Sequence, residues 1–457
     1  MAGSCRLGIL FQWRVSTPTE PPSTTVRRSH FVDLAPFRSS PAFFRLWLGT
    51  GIAAIGSQMT VVAVGLHIYD LTQSTGAVAL VGVIGLLPMI VAGLYGGVLA
   101  DTFDRRMVAI VAETVAWLSV LSLAALAWLH IDVLWFYYVL TTLTAVSTTI
   151  VGATRAAIVP RLVEKRLLPA ASALNGISMG ISITLGPALA GVLVATVGIQ
   201  WTYTIDAVLF LAAFTGILTL PAIRPEGDGT TRGIAALAEG IGFLRRAPNI
   251  RLGFLVDIIA MTFGMARVLY PAVGALVIGG GAVTVGILFA AGAAGTLLSS
   301  LFSGRLGHVR RQGLAIRNAV LAYGASMLAF GLVLLPLGTQ QSGSITDSLT
   351  TANLPALALA AVALAGAGAA DNVSAVFRTT MMQSAVPDAM RGRMQGIYTV
   401  VVTGGPRLGD AFVGLVVATT LLWLPSVLGG VLIVTLVSVL VRVSVGFRAY
   451  DALDPKP

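Results

Sequence analysis

The chain has 457 residues, of which 56% are hydrophobic and 11% charged, and its formal net charge is +10. A soluble core of this size does not reach that apolar content, so the composition indicates a protein solvated by lipid. The basic residues lie in scattered loops without a basic stripe or stacking aromatics, which argues against a nucleic-acid partner, and the single cysteine, Cys5, excludes internal disulfides and paired-cysteine sites.

Residues 1–42 precede the apolar part of the chain and are rich in Ser, Thr, Pro and Arg. Their only apolar run, from Gly8 to Trp13, is too short for the apolar core of a secretory signal. We therefore expect a disordered cytoplasmic tail. The alternative is an upstream start codon, in which case these residues are absent from the mature protein.

Twelve apolar stretches of roughly twenty residues follow, each long enough to cross a bilayer as a helix. In chain order they cover residues 46–68, 77–99, 107–129, 134–157, 168–194, 202–222, 252–275, 283–303, 314–336, 354–377, 394–416 and 424–446. If the stretches cross in order, only Arg267 and Arg407 of the 29 basic residues lie away from one side. The positive-inside rule then places both termini in the cytoplasm. We expect an all-α, multi-pass protein of the inner (cytoplasmic) membrane.

A polar segment near the middle divides the chain into two halves. Within it, apolar residues from Gly233 to Arg246 recur at helical spacing opposite charged ones, which predicts an amphipathic helix on the inner leaflet. The expected organisation is a tail (1–42), a six-helix bundle (43–222), a linker with this helix (223–250), a second six-helix bundle (251–447) and a tail (448–457).

The two halves repeat each other weakly. Arg155 precedes Gly186-Pro187 in the first half, and Arg378 precedes Gly405-Pro406 in the second, at offsets of 223 (378 minus 155) and 219 (405 minus 186) residues. The tight loops after the second and eighth spans also match, since each ends in a pair of arginines. Two halves with one orientation predict a pseudo-twofold axis along the membrane normal and a central cleft.

The loop after the second span resembles the signature G-x-L-a-D-r-x-G-r-r of the major facilitator superfamily. It reads Gly97-Val98-Leu99-Ala100-Asp101-Thr102-Phe103-Asp104-Arg105-Arg106. The resemblance implies the superfamily fold, with two pseudo-symmetric six-helix bundles, and a cytoplasmic gate that joins the bundles when the carrier faces outward. The implied gate residues are Gly97, Asp101, Arg105, Arg106 and Arg155. Asp104 departs from the pattern, because it puts a charge where glycine is usual. A loop whose charges only set the topology is the alternative.

Further stretches point within the superfamily. Gly186-Pro187-Ala188-Leu189-Ala190-Gly191 resembles the antiporter signature G-P-x-x-G-G, with Gly186, Pro187 and Gly191 in place. The stretches from Ala266 to Pro271 and from Arg378 to Gly404 are similar to the enterobactin-exporter group. This resemblance implies proton-driven export of an amphipathic siderophore or a similar small molecule. Multidrug efflux is the alternative, and a proton-coupled uptake permease is a further one.

The chain offers no chemistry for an enzyme. Its only lysines, Lys165 and Lys456, do not lie in a phosphate-binding loop, which argues against an ATPase domain. Its four histidines lie in the tail or at span ends, so we expect no catalytic site, cofactor or metal. The expected energy source is a proton gradient, and the expected partners are a small-molecule substrate and the lipid bilayer. We expect a monomer, with a dimer as the alternative.

Three ionisable residues in the outer half of the membrane form the main candidate site. Arg407 and Asp410 lie three residues apart on one face of the eleventh span, and Arg267 lies at a similar depth in the seventh. Pro271 is expected to interrupt the seventh helix by leaving the carbonyl of Arg267 unpaired. We expect a polar cluster in the cleft, with Asp410 titrating against Arg407 and an arginine meeting substrate anions. A static ion pair that packs the two spans together is the alternative.

Other polar residues inside the spans are secondary candidates. Asp257 and Asp371 lie nearer the inner ends of cavity-lining spans and are second-choice proton sites. Gln58 and Asn175 are candidates for hydrogen bonds to substrate, although bonds between helices would explain them too. Glu113 and Asp206 fall in spans that the resemblance places at the periphery, where we expect structural roles.

Overall fold

A computed structural model of the chain describes residues 34–164, 167–223, 233–301, 309–338, 349–417 and 421–457. Across these ranges twelve helices are long and apolar enough to cross a membrane, which confirms the predicted all-helical fold. Spans 1 to 12 are Pro41–Thr72, Thr75–Thr102, Arg105–Trp128, Leu134–Leu162, Leu168–Thr196, Gly198–Leu218, Pro248–Val277, Gly281–Leu301, Gln312–Leu334, Leu354–Ala385, Asp388–Val417 and Leu424–Val443.

Most helices extend beyond the predicted spans, because capping residues rather than hydropathy mark their ends. The hydroxyl of Ser40 accepts a hydrogen bond from the backbone N–H of Phe43, and proline occupies the first helical position. Span 1 therefore begins at Pro41, and a short helix, Ala35–Ser39, precedes it. Order begins before residue 43, whereas residues 1–33 of the expected tail lie outside the described residues.

Corresponding pairs of helices pack together in the two halves. Span 1 packs on spans 5 and 6, and span 7 packs on spans 11 and 12; spans 2, 3 and 4 pack as spans 8, 9 and 10 do. Between the halves, span 2 contacts span 11 and span 5 contacts span 8, which are equivalent pairs under the repeat. The fold is therefore two pseudo-symmetric six-helix bundles. We call the end with the loops at 103–104 and 309–311 the basic end, and the other the opposite end.

Among the described residues, span 7 is the one span that is interrupted at depth, and the interruption includes Arg267 and the turn before Pro271. Its first α-helix ends at Gly264, three residues before Arg267. The span then continues through a 3-10 turn, a single α-helical turn and a π-helical turn, which ends at Val277. Pro271 lies in the first turn of the resumed α-helix, so the break occupies the turn before it; the carbonyl of Arg267 is not left unpaired, because it accepts the backbone N–H of Tyr270. Residues 268–275 are buried, so protein surrounds the irregular backbone, as hydrocarbon could not satisfy it.

The linker helix occupies Gly233–Arg246, the range expected from its periodicity. It packs against span 11 and more lightly against span 2, so it contacts both bundles at the basic end rather than lipid alone. The C-terminal residues also fold back: the backbone N–H of Ala452 donates to the carbonyl of Arg310, and the Asn249 amide donates to the carbonyl of Lys456. Residues 448–457 are therefore docked on the bundle, while residues 224–232 of the linker lie outside the described residues.

Candidate functional site

The break in span 7 places Arg267 against Asp410 of span 11. Its Nε and Nη2 donate to the two carboxylate oxygens over 3.3 and 3.1 Å, in a two-pronged geometry. Arg407, one turn before Asp410, approaches the same carboxylate at 3.8 Å. The structure therefore brings the three predicted residues together, with Arg267 rather than Arg407 as the main partner. Two guanidinium groups face one carboxylate, which leaves an excess positive charge.

This cluster, Arg267, Arg407 and Asp410, lies where the two bundles meet. The side chain of Asp410 is only 4% exposed, and the backbone of span 2 lies directly against it at Gly82. A methyl group at Gly82 would lie 2.7 Å from Cβ and 2.9 Å from Cγ of Asp410. One turn further out, Ala79 packs in the same way against Gly414. Asp410 thus sits in the contact that closes the opposite end between spans 2 and 11.

The equivalent contact on the other side of the molecule has no charge. Span 5 meets span 8 at Gly191, where a methyl group would lie 2.7 Å from both the Ala282 carbonyl oxygen and the Gly286 Cα. The repeat offset of 219 residues that relates Gly186 to Gly405 also relates Gly191 to Asp410. The antiporter-like glycine and the acid therefore occupy equivalent positions in the two contacts. Gly186, a turn and a half earlier, lets span 5 approach the backbone of span 1.

A second polar cluster in the C-terminal bundle contains Asp257, Asp371 and Arg378. Arg378 of span 10 lies 2.5 Å from the fully buried carboxylate of Asp257, at angles outside those of a hydrogen bond, and 3.8 Å from that of Asp371. We did not expect Arg378 to be part of a site. Its position in the repeat, equivalent to Arg155, was the available signal, but hydropathy placed it beyond the end of the span.

Tyr323 of span 9 lies between these two clusters along span 7. Its ring packs on Gly264, where a methyl group would lie 2.5 Å from the hydroxyl oxygen. Gly264 is two helical turns after Asp257 and three residues before Arg267, so the hydroxyl occupies an intermediate level. The C-terminal bundle therefore carries ionisable or hydroxylated side chains from the basic half to the opposite half.

The two amide candidates remain apart from these clusters. Neither the Gln58 side chain nor the Asn175 side chain forms a hydrogen bond with another described residue, so side-chain bonds between helices do not explain them there. Gln58 borders the close contact between spans 1 and 5 at Gly186. The structure brings neither of them to Asp410.

The described part of the loop motif is bonded within the N-terminal bundle. Arg105 donates to the carbonyl of Ala157 at 3.0 Å, and Arg106 donates to that of Leu218 at 2.8 Å. Asp104 accepts hydrogen bonds from the backbone of Arg106 and Ile223, so this departure from the signature caps span 3 and ties it to the end of span 6. Gly97 and Asp101 belong to span 2, but the structure does not describe the surroundings of their side chains, and residues 302–308 of the second loop lie outside the described residues.

Ionisable residues of the N-terminal bundle lie at contacts between neighbouring helices. Asp206 of span 6 is fully buried and accepts a hydrogen bond from Thr60 of span 1. Glu113 of span 3 is buried and interacts electrostatically with Arg155 of span 4. Among the described residues, no group of three His, Cys, Asp or Glu side chains could hold a metal ion.

A model of transmembrane secretion effectors matches residues 32–457, nearly the whole chain. The chain belongs to the transmembrane secretion effector family. Family members are transport proteins of the major facilitator fold, and accordingly this chain is a multi-pass membrane transporter and not an enzyme.

Several relatives of this chain are named as exporters. It is 29% identical over 389 residues to the enterobactin exporter EntS of Shigella boydii serotype 18, which covers 85% of this chain and 88% of the relative. The EntS proteins of Escherichia coli O139:H28 and Citrobacter koseri align over the same shares, at 29% and 28% identity. These matches confirm the resemblance noted from the sequence.

Solved structures share the fold at low identity. A POT family transporter in complex with 5-aminolevulinic acid superposes with a TM-score of 0.66 at 10% identity, covering 89% of this chain and 97% of that one. The nucleoside transporter NupG gives 0.61 at 12% identity, covering 88% and 98%. A bacterial homologue of ferroportin in an inward-facing state gives 0.59 at 14%, covering 87% and 99%.

Proposed function

We propose that this chain exports small amphipathic, siderophore-like molecules across the cytoplasmic membrane by proton antiport, through alternating access between its two bundles. Relatives named enterobactin exporters, aligned over 85% of the chain, support the substrate class. The observation that carries the coupling is Asp410, a buried carboxylate held by Arg267 at the contact between the bundles. The basic end faces the cytoplasm in this proposal, following the positive-inside rule.

Asp410 provides a place where substrate and proton compete. An ionised carboxylate only accepts hydrogen bonds and has about four lone-pair positions, of which Arg267 uses two. Substrate hydroxyls, such as those of a catechol, donate to the remaining positions. A proton on Asp410 removes an acceptor and weakens the arginine fork, so the acid holds either substrate or proton. Exclusive binding of the two on one group is what antiport requires.

Alternating access follows from the position of the acid. With spans 2 and 11 in contact at Gly82, Asp410 is sealed from the opposite end. Separation of the bundles there would expose it to external water, where it exchanges substrate for a proton. After the substrate leaves, the remaining lone pairs of Asp410 have no donors, and a protonated, neutral acid is cheaper to seal again in a low-dielectric contact than this partly unsatisfied carboxylate. The free energy of the proton gradient then drives the return.

The test is efflux from energised vesicles that contain the purified protein. Catecholate siderophores and ethidium-like cations are measured separately, with and without an uncoupler. We expect efflux of catecholates that the uncoupler abolishes, and an Asp410→Asn variant whose residual transport no longer responds to the pH gradient. Asp70→Asn is the matched control, since it makes the same change on an exposed carboxylate at the same end.

Each contrary result removes a defined part of the proposal. Efflux that ignores the uncoupler excludes antiport. An Asp410→Asn variant that keeps its full pH-gradient response makes the Arg267 pair a static contact. Transport of the cations alone would favour multidrug efflux, which the excess positive charge of the cluster opposes. Inward accumulation of catecholates would identify an uptake permease.

A further inference from the structure

A cleft at the basic end lies outside the transport path. It has a volume of about 580 Å³ and lies between the start of span 9, the short helix Val445–Arg448 after span 12, and the docked tail. Three arginines line it: Arg311, Arg317 and Arg448. Gly313 lets the carbonyl of Phe447 lie directly on span 9, which fixes Arg448 at the edge of the cleft.

The positive charge in the cleft is only partly neutralised by the chain, since one carboxylate faces its three lining arginines. Its lining carboxylate, Asp451, is already paired with Arg310 at 2.7 Å and accepts the backbone N–H of Leu453. Arg317 donates only to the neutral amide oxygen of Asn318. Within the described residues, no carboxylate lies within ion-pair distance of Arg311, Arg317 or Arg448. The buried Nε of Arg448 has no hydrogen-bond acceptor.

The repeat supplies an internal comparison. Arg106 and Arg311 are the second arginines of equivalent loops, after spans 2 and 8. In the first half Arg106 donates to the carbonyl of Leu218 at the end of span 6, and the position is satisfied internally. In the second half Arg311 faces the cleft instead. If Arg311 served only to set the membrane topology, it would not need to face an open cleft lined by other arginines.

The geometry points to a binding site for a phosphate anion in this cleft, and we infer that its source is the headgroup of an anionic phospholipid. Guanidinium groups match phosphate oxygens in charge and in planar geometry. The surface beside the cleft is apolar, with Val443 77% and Val445 66% exposed at the end of span 12, which suits acyl chains. Basic pockets between helices at the cytoplasmic face are favourable places for such headgroups.

The inference is tested with the delipidated full chain in neutral detergent. Binding of phosphatidylglycerol, phosphatidylcholine and inorganic phosphate is measured by native mass spectrometry and by thermal shift. We expect preferential binding of phosphatidylglycerol. The double change Arg311→Gln and Arg448→Gln should weaken it roughly 30-fold, at about 1 kcal/mol for each arginine near the surface.

The control removes the same charge at the same end but outside the cleft. Arg38→Gln combined with Arg246→Gln changes two exposed arginines and should leave the phosphatidylglycerol affinity within about twofold. Equal losses in the two double variants would overturn the inference, because they would indicate diffuse attraction only. Inorganic phosphate that binds as tightly as the lipid, or displaces it, would overturn the lipid as the source.

Wild-type protein provides a test that needs no variant. Phenylglyoxal modifies accessible guanidinium groups, and mass spectrometry locates the adducts. Phosphatidylglycerol should protect Arg311 and Arg448 but leave Arg38 and Arg246 reactive. If the two arginines of the cleft react at the same rate with and without the lipid, the cleft is not its site.

Discussion

A methyl group at Gly82 should open the end of the transporter that carries Asp410. In the Gly82→Ala variant the new carbon would lie 2.7 Å from Cβ of Asp410, whereas ordinary contacts begin at 3.4 Å. Because the backbone fixes that Cβ, the side chain cannot rotate away, and spans 2 and 11 must separate by about half an ångström or more. Overpacking of this kind costs about 1 to 3 kcal/mol. A cost restricted to the closed state shifts the closed-to-open equilibrium by about 5- to 150-fold.

Opening can be measured at Ala79, which is 2% exposed and lies in the same contact. The protein carries Ala79→Cys in a Cys5→Ser background and is held in nanodiscs, so that a maleimide reaches both faces. The labelling rate should rise by about 5- to 150-fold in the Gly82→Ala variant. Gly85→Ala is the matched control, since its methyl group would lie 3.9 Å from the nearest atom, Oγ1 of Thr142.

Two results would refute this reasoning. An unchanged labelling rate in Gly82→Ala would mean that the contact with Asp410 does not limit opening. An equal rise in Gly85→Ala would mean that any added methyl group on span 2 loosens the protein. Either result would also remove the structural basis for placing proton exchange at this contact.

Three further predictions concern stability and the tail. Arg378→Gln should lower the free energy of unfolding by about 3 to 5 kcal/mol, because it leaves the buried Asp257 without a cation; adding Asp257→Asn should recover much of this in a double-mutant cycle by chemical denaturation. Thr60→Val should cost about 1 to 3 kcal/mol by removing the hydrogen bond to Asp206, seen as a lower Tm, and an unchanged Tm would contradict the assigned contact. Hydrogen bonds from the Arg310 side chain and from the backbone N–H of Leu453 hold the pKa of Asp451 below its usual 3.8. The stabilisation is therefore present at neutral pH and is lost only as the pH falls through that lowered value, so tail amides should stay protected in hydrogen exchange down to acidic pH.

Most of the fold could be predicted from sequence patterns that the lipid bilayer imposes. Hydropathy and the sorting of arginines gave twelve spans, because lipid forces each crossing to be a long apolar helix. Local capping determined the ends, which is why span 1 starts earlier than expected, at Pro41. The break in span 7 was predicted from Pro271 and lies in the turn before it, but it begins earlier, at Gly264. Proline removes a donor and crowds the carbonyl four residues before it, so its effect reaches Arg267 and not Gly264.

The site could be predicted only where the membrane depth of a residue and the helix face it occupies were enough to show which residues meet. Arg407 and Asp410 share a face of one helix, and Arg267 shares their depth, so their meeting followed from arithmetic along the helices. The partner of Asp257 did not follow, because Arg378 approaches it from another helix and its position depends on how spans 7 and 10 pack. The role of Gly82 was also hidden, since a glycine gains meaning only from what lies against it.

The repeat relates the two contacts that close the opposite end, and the two contacts differ in charge. Gly191 and Asp410 occupy equivalent positions in them. In the present chain one contact is glycine against glycine and changes only with distance, whereas the other holds an acid between Arg267 and the backbone of span 2. Only the second contact contains an ionisable side chain. Under the proposed coupling through Asp410, the Asp410→Gly variant should still close at Gly191 but open at a rate that is independent of pH, as the labelling assay at Ala79 would report.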